Sequence, residues 1–373
     1  MTLSKIATEF FKPAETGIKP NHPKTDFLSD LGMNLVWISR FITRNENIFK
    51  SVENAINQRM LETVDPNAGG IYEVPSIYPE DLDDFDLTKL ASSNFPIVIK
   101  GILKDSYAVT NWSLDYLKEH YSDAVFPCLE HKDDDNKYDT PHYQIHTTTQ
   151  LTVAEIVKSI RTGVRRHGVG CSSIFGSHPN IREEVNLKEI EQKFGCQVFR
   201  AELFLAGSQS TTYFHCAAGG NMFCQLHGEK KWVFVAPWHS AWMYANIGHS
   251  SSGAYIASPI ITKKQQEDPS HYPLYNHVPK YVVNVSPGDV LFTPPWWWHE
   301  VTNLSESIGM PLRITQGGNI KVTNLLYNFF TIFGSPVVFK SMIKVFRKQI
   351  DVDDSSVEEA LHNNAKFDKA KFH

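Results

Sequence analysis

The segment at residues 294–301, which reads PPWWWHEV, constrains the fold of this chain more than any other segment. It follows SPGDVLF at residues 286–292, where a Pro-Gly turn leads into a short apolar strand. The two prolines stiffen the corner between that strand and the tryptophans, because a proline ring fixes its own φ angle. His299 therefore follows an aromatic wall, and this is a rigid setting for one imidazole inside an apolar barrel.

Short strands separated by Pro and Gly turns are predicted from residue 196 onward. Strand character is present at residues 198–205, 221–226, 231–235, 281–285 and 290–292. Such a series is typical of a β-barrel or a β-sandwich. Before it, the spacing of apolar residues predicts helices over 27–62 and 152–164, and Ser113 is a suitable N-cap for another helix.

These patterns divide the chain into three predicted regions. Residues 1–90 form an irregular and helical N-terminal extension, and residues 91–320 form the β domain, with an insertion at about 238–277. Residues 321–373 form a helical segment with a polar tail. The apolar faces of those C-terminal helices are expected to pack on the barrel; a homodimer contact is the next interpretation, and membrane-surface contact the last.

The composition of the chain bears on its cellular compartment and on the kinds of partner that it can bind. The 373 residues carry a net charge of −5, so no basic surplus points to nucleic acid. The five cysteines are odd in number and form no CxxC pair, which favours reduced thiols and a cytoplasmic location. No uninterrupted apolar run has the length of a membrane span, so stable membrane insertion is not expected.

A second histidine provides a partner for His299. Residues 211–221 read TTYFHCAAGGN and place His215 at the end of a predicted strand, beside a glycine-rich turn. Either histidine alone would most often be an ordinary core imidazole. Together, each at the end of a strand in a barrel, they favour a metal site.

Four further segments make the interpretation specific. They are FPIVIKG at 95–101, WSLDYL at 112–117, FCQLHGEKK at 223–231, and the stretch from PGD at 287–289 to WHEV at 298–301. In this order they resemble the cupin-type JmjC family, which includes the asparaginyl hydroxylase of hypoxia-inducible factor. The resemblance covers residues 95–319. It implies a mainly β fold, a double-stranded β-helix of the cupin or jelly-roll type with flanking helices.

The resemblance also implies a cofactor and its ligands. That family holds Fe(II) with a His-x-Asp/Glu…His triad and uses 2-oxoglutarate and O2. By resemblance, His215 is the first iron ligand and His299 the last. Lys230 matches the lysine that pairs with the distal carboxylate of 2-oxoglutarate, and Thr212 and Asn221 match positions that bind the cosubstrate or line its pocket.

The chain departs from the family at the carboxylate of this triad. Ala217 stands at that position, and the small residues Ala218 and Gly219 follow it. In the iron/2-oxoglutarate halogenases an alanine or glycine likewise replaces the carboxylate, and chloride or bromide takes its place. The leading hypothesis is therefore a halogenase, with a halide at Ala217 replacing the missing negative charge.

Two alternatives stay open beside the halogenase. The first is a hydroxylase or other oxygenase with a two-histidine iron site, completed by water or by a remote acid such as Glu202. The second is a cupin-like module that has lost its metal and only binds a partner.

The substrate is less constrained than the metal. The halogenase hypothesis favours a small molecule, whereas the family also includes proteins that act on protein substrates. Arg313, on the strand after His299, is predicted to contact an anionic group, of the cosubstrate or another ligand, or to form an ordinary ion pair. The insertion at 238–277 is a candidate substrate lid, and its four histidines follow no spacing typical of a second metal site.

Overall fold

The computed structural model describes residues 20–314, apart from 44, 46, 85, 131–148, 163–165, 218–219, 246–254, 261–265, 267 and 269. The predicted C-terminal helices and tail lie outside the described residues, so the homodimer contact stays a prediction. The three regional boundaries also stay predictions. Among the described residues, no helix combines the length and the apolar character needed to cross a membrane.

The described part of the chain contains eight α-helices and sixteen strands. The helices are α1 (Phe27–Thr43), α2 (Lys50–Thr63), α3 (Tyr107–Asn111), α4 (Leu114–His120), α5 (Val153–Arg161), α6 (Ile174–Ser177), α7 (Asn180–Glu184) and α8 (Leu187–Phe194). The first eight strands are β1 (Ile71–Glu73), β2 (Ser76–Ile77), β3 (Ile97–Ile99), β4 (Val125–Glu130), β5 (Thr149–Thr152), β6 (Arg166–Cys171), β7 (Val198–Ala201) and β8 (Leu203–Ala206). The others are β9 (Thr211–Ala217), β10 (Asn221–His227), β11 (Lys230–Val235), β12 (Tyr255–Ala257), β13 (Lys280–Val285), β14 (Val290–Thr293), β15 (Trp298–Asn303) and β16 (Ser307–Ile314).

The strands form two sheets. The small sheet has the order β1-β13-β11-β15-β9-β12, and all its pairs are antiparallel except β1 with β13. The large sheet has the order β2-β3-β14-β10-β16-β8-β6-β4-β5, and β7 also pairs with β16. Successive strands β9, β10 and β11 alternate between the sheets, and so do β13 to β16. This alternation winds the chain as the predicted double-stranded β-helix requires.

A shared apolar cluster shows that the two sheets face each other. It joins Val98, Phe223 and Leu291 of the large sheet to Trp232, Phe234, Tyr281, Val283, Val285 and Val301 of the small sheet. Side chains alternate between the faces of a strand, so every second residue from these points into the same interior. The interior is the space in which the candidate site lies.

Helices cover the outer faces of both sheets. On the small sheet, Met33 and Trp37 of α1 pack in one cluster with Phe214 and Trp298. On the large sheet, α4, α5 and α8 bury their apolar faces in the cluster that contains Met222. Thr152 begins α5 with a reciprocal capping box, which satisfies backbone N–H groups at that end. Ser113 caps α4 by accepting from the Tyr116 N–H, as predicted.

The turn before the tryptophans is held by one buried carboxylate. Asp289 accepts from Lys100 Nζ at 2.7 Å and from the backbone N–H groups of Gly101 and Ser286, each at 2.9 Å. The turn therefore fixes β14 to β3, and β14 leads directly into the proline corner. All three tryptophans are buried, with Trp296 the most exposed at 4%. The three tryptophans therefore pack in the core.

Candidate metal centre

His215 and His299 are neighbours across two adjacent strands. The residues lie directly opposite each other in the antiparallel pair β9–β15, and their ring centroids are 4.1 Å apart. The register of β9 and β15 shifts just beyond this pair, between His299 and Val301. The structure thus brings together the two histidines that the sequence pattern identified.

Both imidazoles are oriented by the same backbone contact. The Nδ1 atom of His215 lies 2.8 Å from the carbonyl oxygen of Tyr213, and Nδ1 of His299 lies 2.9 Å from that of Trp297. A carbonyl only accepts, so each Nδ1 must donate. Nε2 is then the atom through which each ring could bind a metal, and such second contacts are what usually fix a metal-binding imidazole.

Burial keeps both rings neutral. The pKa of His215 is lowered to about 4, mainly by desolvation; the contact to the Tyr213 carbonyl opposes this shift, and the charge of Arg313 adds to it. The pKa of His299 is also well below its ordinary value, first through desolvation and then through His215. Neutral imidazoles are the form that binds a metal, so the site is ready for one at neutral pH.

Aromatic rings hold His299 on its other sides. Trp232 stacks on it with ring centroids 5.5 Å apart and planes inclined by 28°, and Phe234 lies at 6.0 Å. Both belong to β11, which pairs with β15 so that Phe234 lies opposite His299. The apolar wall around His299 therefore comes mainly from β11, while the preceding tryptophans belong to the core.

Ala217, which the sequence comparison predicts to replace a triad carboxylate, lies on the same strand as His215. It is two residues after His215 on β9, so its methyl group points to the same face of the sheet. Its carbonyl accepts from the Trp296 N–H at 2.8 Å, and Trp296 has a positive φ of 65°. This hydrogen bond links the proline corner to β9, the strand of His215. Ala218 and Gly219, the small residues that follow Ala217, lie outside the described residues.

No acidic side chain completes the pair of histidines in the described part of the chain. Among those residues, no group of three or more His, Cys, Asp or Glu side chains could hold a metal ion. Glu202, the suggested remote acid, is instead in ion pairs with Arg200 at 2.8 Å and with Arg313 at 3.3 Å. The hypothesis that Glu202 serves as the third ligand is therefore wrong for the described structure.

Lys230 is a buried ammonium group in the same interior. Only 4% of the residue is exposed, and desolvation lowers its pKa to about 7. Its Nζ donates to Asn303 Oδ1 at 2.6 Å and lies 5.6 Å from the centre of the Phe223 ring. Among the described residues, no carboxylate lies within 4 Å of this ammonium. A buried cation without a counter-ion is costly, and an anionic ligand would remove that cost.

The other predicted binding residues lie around this space. Thr212 is opposite Val301 on β15, between the histidines and the level of Lys230. Asn221 and Arg313 are opposite each other on β10 and β16, on the facing sheet. The structure thus places all of these predicted residues around one interior. Their roles toward a ligand stay predictions.

The comparisons with known proteins agree with this architecture. The sequence profile of the cupin-like domain matches residues 83–330, which is more than half of the chain. The chain belongs to the cupin-like domain family. It is similar to Jumonji C domain-containing protein 5 of Drosophila melanogaster, with 23% identity over 288 residues, 75% of this chain and 70% of the relative.

Other relatives of this cupin-like chain have different names. The tRNA wybutosine-synthesizing protein 5 of Gallus gallus is 24% identical over 239 residues, 59% of this chain and 69% of the relative. HSPB1-associated protein 1 of Homo sapiens is 28% identical over 87 residues, 23% of this chain and 17% of the relative. The mainly β cupin-like fold with helices, expected from the sequence, is confirmed.

The residues of this cupin-like domain fit the group that its family implies. Cupin and JmjC proteins generally bind Fe(II) and 2-oxoglutarate. Two neutral imidazoles with fixed Nδ1–H groups suit a divalent metal ion, and the buried Lys230 ammonium suits a carboxylate. The two histidines leave more metal positions to ligand, water or anion than a facial triad would.

The insertion of this cupin-like domain borders the site. Its strand β12 pairs with β9, so that Tyr255 lies opposite Ala217 and Ala257 opposite His215. Gln266 of the same insertion donates to Glu300 at 2.7 Å on the outer face of β15. The insertion is therefore attached to both histidine strands, as a wall beside the site. A lid function stays a prediction.

Several contributors to the site escaped the sequence reasoning. Asn303 bridges Lys230 to Ser210 through its amide, which donates to the Ser210 carbonyl and hydroxyl oxygens at 2.9 Å each. Strand alternation could have found it, because it is four residues after His299 and so on the same face. Arg200 was also missed; it precedes Glu202 by two residues and forms an ion pair with it at 2.8 Å.

Proposed function

We propose that this chain is an Fe(II)- and 2-oxoglutarate-dependent oxidoreductase, and more specifically a radical halogenase acting on a small molecule. In this proposal, chloride or bromide occupies the metal position left by Ala217. The observation that carries it is the pair of neutral imidazoles beside an alanine, with a buried lysine in the same interior. When bound, iron with 2-oxoglutarate and O2 supplies the oxidising power to cleave an unactivated C–H bond.

The chain's own residues hold the metal and exclude water from it in this reaction. His215 and His299 hold the metal through Nε2, because each Nδ1 is committed to a backbone carbonyl. Trp232 and Phe234 exclude water from one side of His299. A dry, preorganised site strengthens every electrostatic contact to the reacting groups.

Lys230 is the proposed partner of the distal carboxylate of 2-oxoglutarate. Hydrogen bonds between charged groups contribute about 1.5–3 kcal/mol each. Asn303 positions the ammonium, since its Oδ1 accepts from Lys230 at 2.6 Å. Ser307 Oγ donates to the same oxygen at 2.7 Å, so the Asn303 side chain is held in place from two sides.

Two observations support a halide at Ala217. The methyl group takes less space than a carboxylate, and halide–metal bonds are longer than oxygen–metal bonds. Charge also favours an anion there, because the iron site has lost the negative charge that a triad carboxylate would supply. Arg313 is close enough to lower the pKa of both histidines, so its positive charge also acts on this region.

A small molecule remains the proposed substrate. The name of one relative refers to tRNA wybutosine synthesis. This chain, however, has a net charge of −5, without the basic surplus that typically accompanies binding to the phosphate backbone. A hydroxylase with water at the Ala217 position is the second candidate, favoured by membership of an oxygenase-type family.

A chloride titration tests the halide directly, without knowledge of the substrate. Chloride is added to the anaerobic protein with Fe(II) and 2-oxoglutarate, while the metal-to-ligand charge-transfer band is recorded. We expect the band to shift with chloride in the wild type. In Ala217→Asp the carboxylate should take the position and remove the shift, while Ala217→Asn controls for size without the charge.

The outcomes separate the candidates. A charge-transfer band that does not shift with chloride in the wild type or in either variant contradicts the halogenase proposal and favours the hydroxylase. Absence of any band, with Fe(II) still bound, contradicts 2-oxoglutarate binding and points to a non-catalytic module. Once a substrate is found, the product mass in bromide against chloride distinguishes halogenation from hydroxylation.

A further inference from the structure

Helix α1 presents apolar side chains on two of its faces. One face packs on the small sheet, where Met33 and Trp37 are buried in the cluster that contains Phe214. The other face carries a second apolar row that stays exposed, and its exposed members are Leu28, Leu31, Leu35 and Ile42. A helix that is apolar on two sides is normally covered on both.

The spacing of the exposed row is that of a seam between paired helices. Its apolar residues follow one another at intervals of three, four, three and four: Leu28, Leu31, Leu35, Ile38 and Ile42. Such alternating intervals keep the residues on one side of a helix and are the pattern by which two helices pack along their length. The row is therefore suited to another helix.

Helix α2 extends the exposed apolar face. The two helices approach closely at Gly32, where a Cβ atom would lie only 2.7 Å from Cδ1 of Ile56. Beside this contact, Leu28 lines a shallow groove together with Val52 and Ile56 of α2. Val52 is itself exposed, so the apolar surface continues from α1 onto α2.

The area of this face is large enough for a stable interface. Its large apolar residues are 42% exposed at Leu31 and up to 76% exposed at Phe27, and they are Phe27, Leu28, Leu31, Leu35, Ile42 and Val52. At about 200 Å² for each such residue when fully exposed, they present roughly 700 Å². The largest apolar patch of a monomer is typically about 300–600 Å². Covering this face on two copies would remove about 1,400 Å², within the range of about 1,200–2,000 Å² for stable interfaces.

The charges at the two ends of the row favour a copy that packs antiparallel. Asp30 is exposed in the first turn of α1. Near the other end, Glu53 binds both Arg40 and Lys50, and the side chain of Lys50 stays 60% exposed. An antiparallel copy would bring Asp30 of each molecule toward Lys50 of the other, and it would also place the helix dipoles in opposition.

A membrane surface matches this face less well. Helices that lie on membranes typically have many Lys and Arg residues on their polar side. Arg40 is the one basic residue in the sequence of α1, and it is buried in its ion pair with Glu53. On α2, Arg59 is paired with Asp26.

We propose that the exposed face of α1 and the adjoining part of α2 form the contact between two copies of this chain, with the two α1 helices antiparallel. A two-fold axis near Leu35 pairs the face with itself, as in most symmetric dimers. This contact is independent of the proposed function. It is also distinct from the homodimer contact expected for the C-terminal helices.

The oligomeric state of the full chain in sedimentation velocity tests the contact. The wild type should be a dimer at micromolar concentration. Leu35→Glu places a carboxylate in the middle of the row on both copies, and it should raise the dissociation constant of the dimer by about 100-fold or more. Ile71→Glu is the matched control, because Ile71 is 65% exposed on β1 and its replacement should leave that constant unchanged.

A second variant tests the orientation of the helices. In an antiparallel dimer, Asp30→Lys brings two positive charges together and should weaken the dimer by about 2- to 5-fold. In a parallel dimer each residue 30 would lie beside its own copy, so one repulsion would replace another. A dimer that Asp30→Lys does not weaken contradicts the antiparallel contact.

The other outcomes overturn the proposal. A wild type that is monomeric, or a dimer that persists unchanged in Leu35→Glu, excludes this face as the contact between copies. A monomer whose thermal midpoint falls in Leu35→Glu would assign the face to another segment of the same chain. A monomer that binds phosphatidylserine vesicles, and loses this binding in Leu35→Glu, would assign the face to a membrane. None of these measurements needs iron or 2-oxoglutarate, so a failure of the proposed function leaves them standing.

Discussion

Replacing Lys230 with methionine should affect stability and ligand binding in opposite directions. The variant keeps an unbranched side chain of similar length and removes the buried ammonium. Asn303 Oδ1 loses one donor but still accepts from Ser307 at 2.7 Å, so no acceptor is orphaned. The Phe223 ring, 5.6 Å from the ammonium, gains an apolar neighbour in its place.

The size of the stability effect follows from the pKa of Lys230. Burial lowers that pKa from 10.5 to about 7, and one pKa unit corresponds to 1.36 kcal/mol. Keeping the charge at pH 7 therefore costs about 4 kcal/mol, an upper limit because the interior relaxes. We expect Lys230→Met to raise the free energy of unfolding by about 1–4 kcal/mol. Its affinity for 2-oxoglutarate should fall by about 10- to 100-fold.

Urea unfolding without ligand measures the first effect, and calorimetry with 2-oxoglutarate and Zn(II) measures the second. Lys231→Met is the matched control, because Lys231 is the next residue of β11 and is exposed. It should change neither quantity by more than a few tenths of a kcal/mol. A Lys230→Met protein that is less stable than the wild type, yet binds 2-oxoglutarate normally, would refute the reasoning.

Three further predictions concern the metal, the pH dependence and the fold. His215→Ala should lower Fe(II) affinity by at least about 100-fold in equilibrium dialysis, whereas the exposed His120→Ala should leave it unchanged. Because the pKa of Lys230 in the folded protein is about 7, the affinity for 2-oxoglutarate should fall as the pH rises above 7. Calorimetry in different buffers at pH 8 should detect the uptake of roughly one proton on binding. An affinity that does not change with pH would contradict this prediction. Asp289→Ala should lower the urea-unfolding free energy by about 2–4 kcal/mol, because Lys100 and two backbone N–H groups lose their acceptor; an unchanged midpoint would contradict this.

Local chemistry made much of the fold predictable. Ser113 caps its helix and Thr152 begins another, because these side chains satisfy backbone N–H groups that the helix leaves open. Strands with Pro and Gly turns identified the β domain. The predicted continuous strand at 198–205 is instead two strands that break at Glu202, whose side chain forms a local ion pair with Arg200 and a second ion pair with Arg313 across the sheet. Long-range pairing of this kind has no local signal.

The candidate site, like the fold, was predictable from the sequence only in part. His215 and His299 could be predicted because each stands in a short, recognisable motif at the end of a strand. Their 4.1 Å separation depends on the register of β9 and β15, which no local pattern contains. Asn221 and Arg313 likewise lie opposite each other on two strands that meet only after the sheet has formed.

The central claim is that His215 and His299 hold iron together with 2-oxoglutarate, without a protein carboxylate. The most direct measurement is the anaerobic visible spectrum of the Fe(II)-loaded protein as 2-oxoglutarate is added. The account predicts a saturable charge-transfer band in the wild type that is lost in His299→Ala and weakened in Lys230→Met. A wild-type protein that retains Fe(II) and shows no band at saturating 2-oxoglutarate would contradict it.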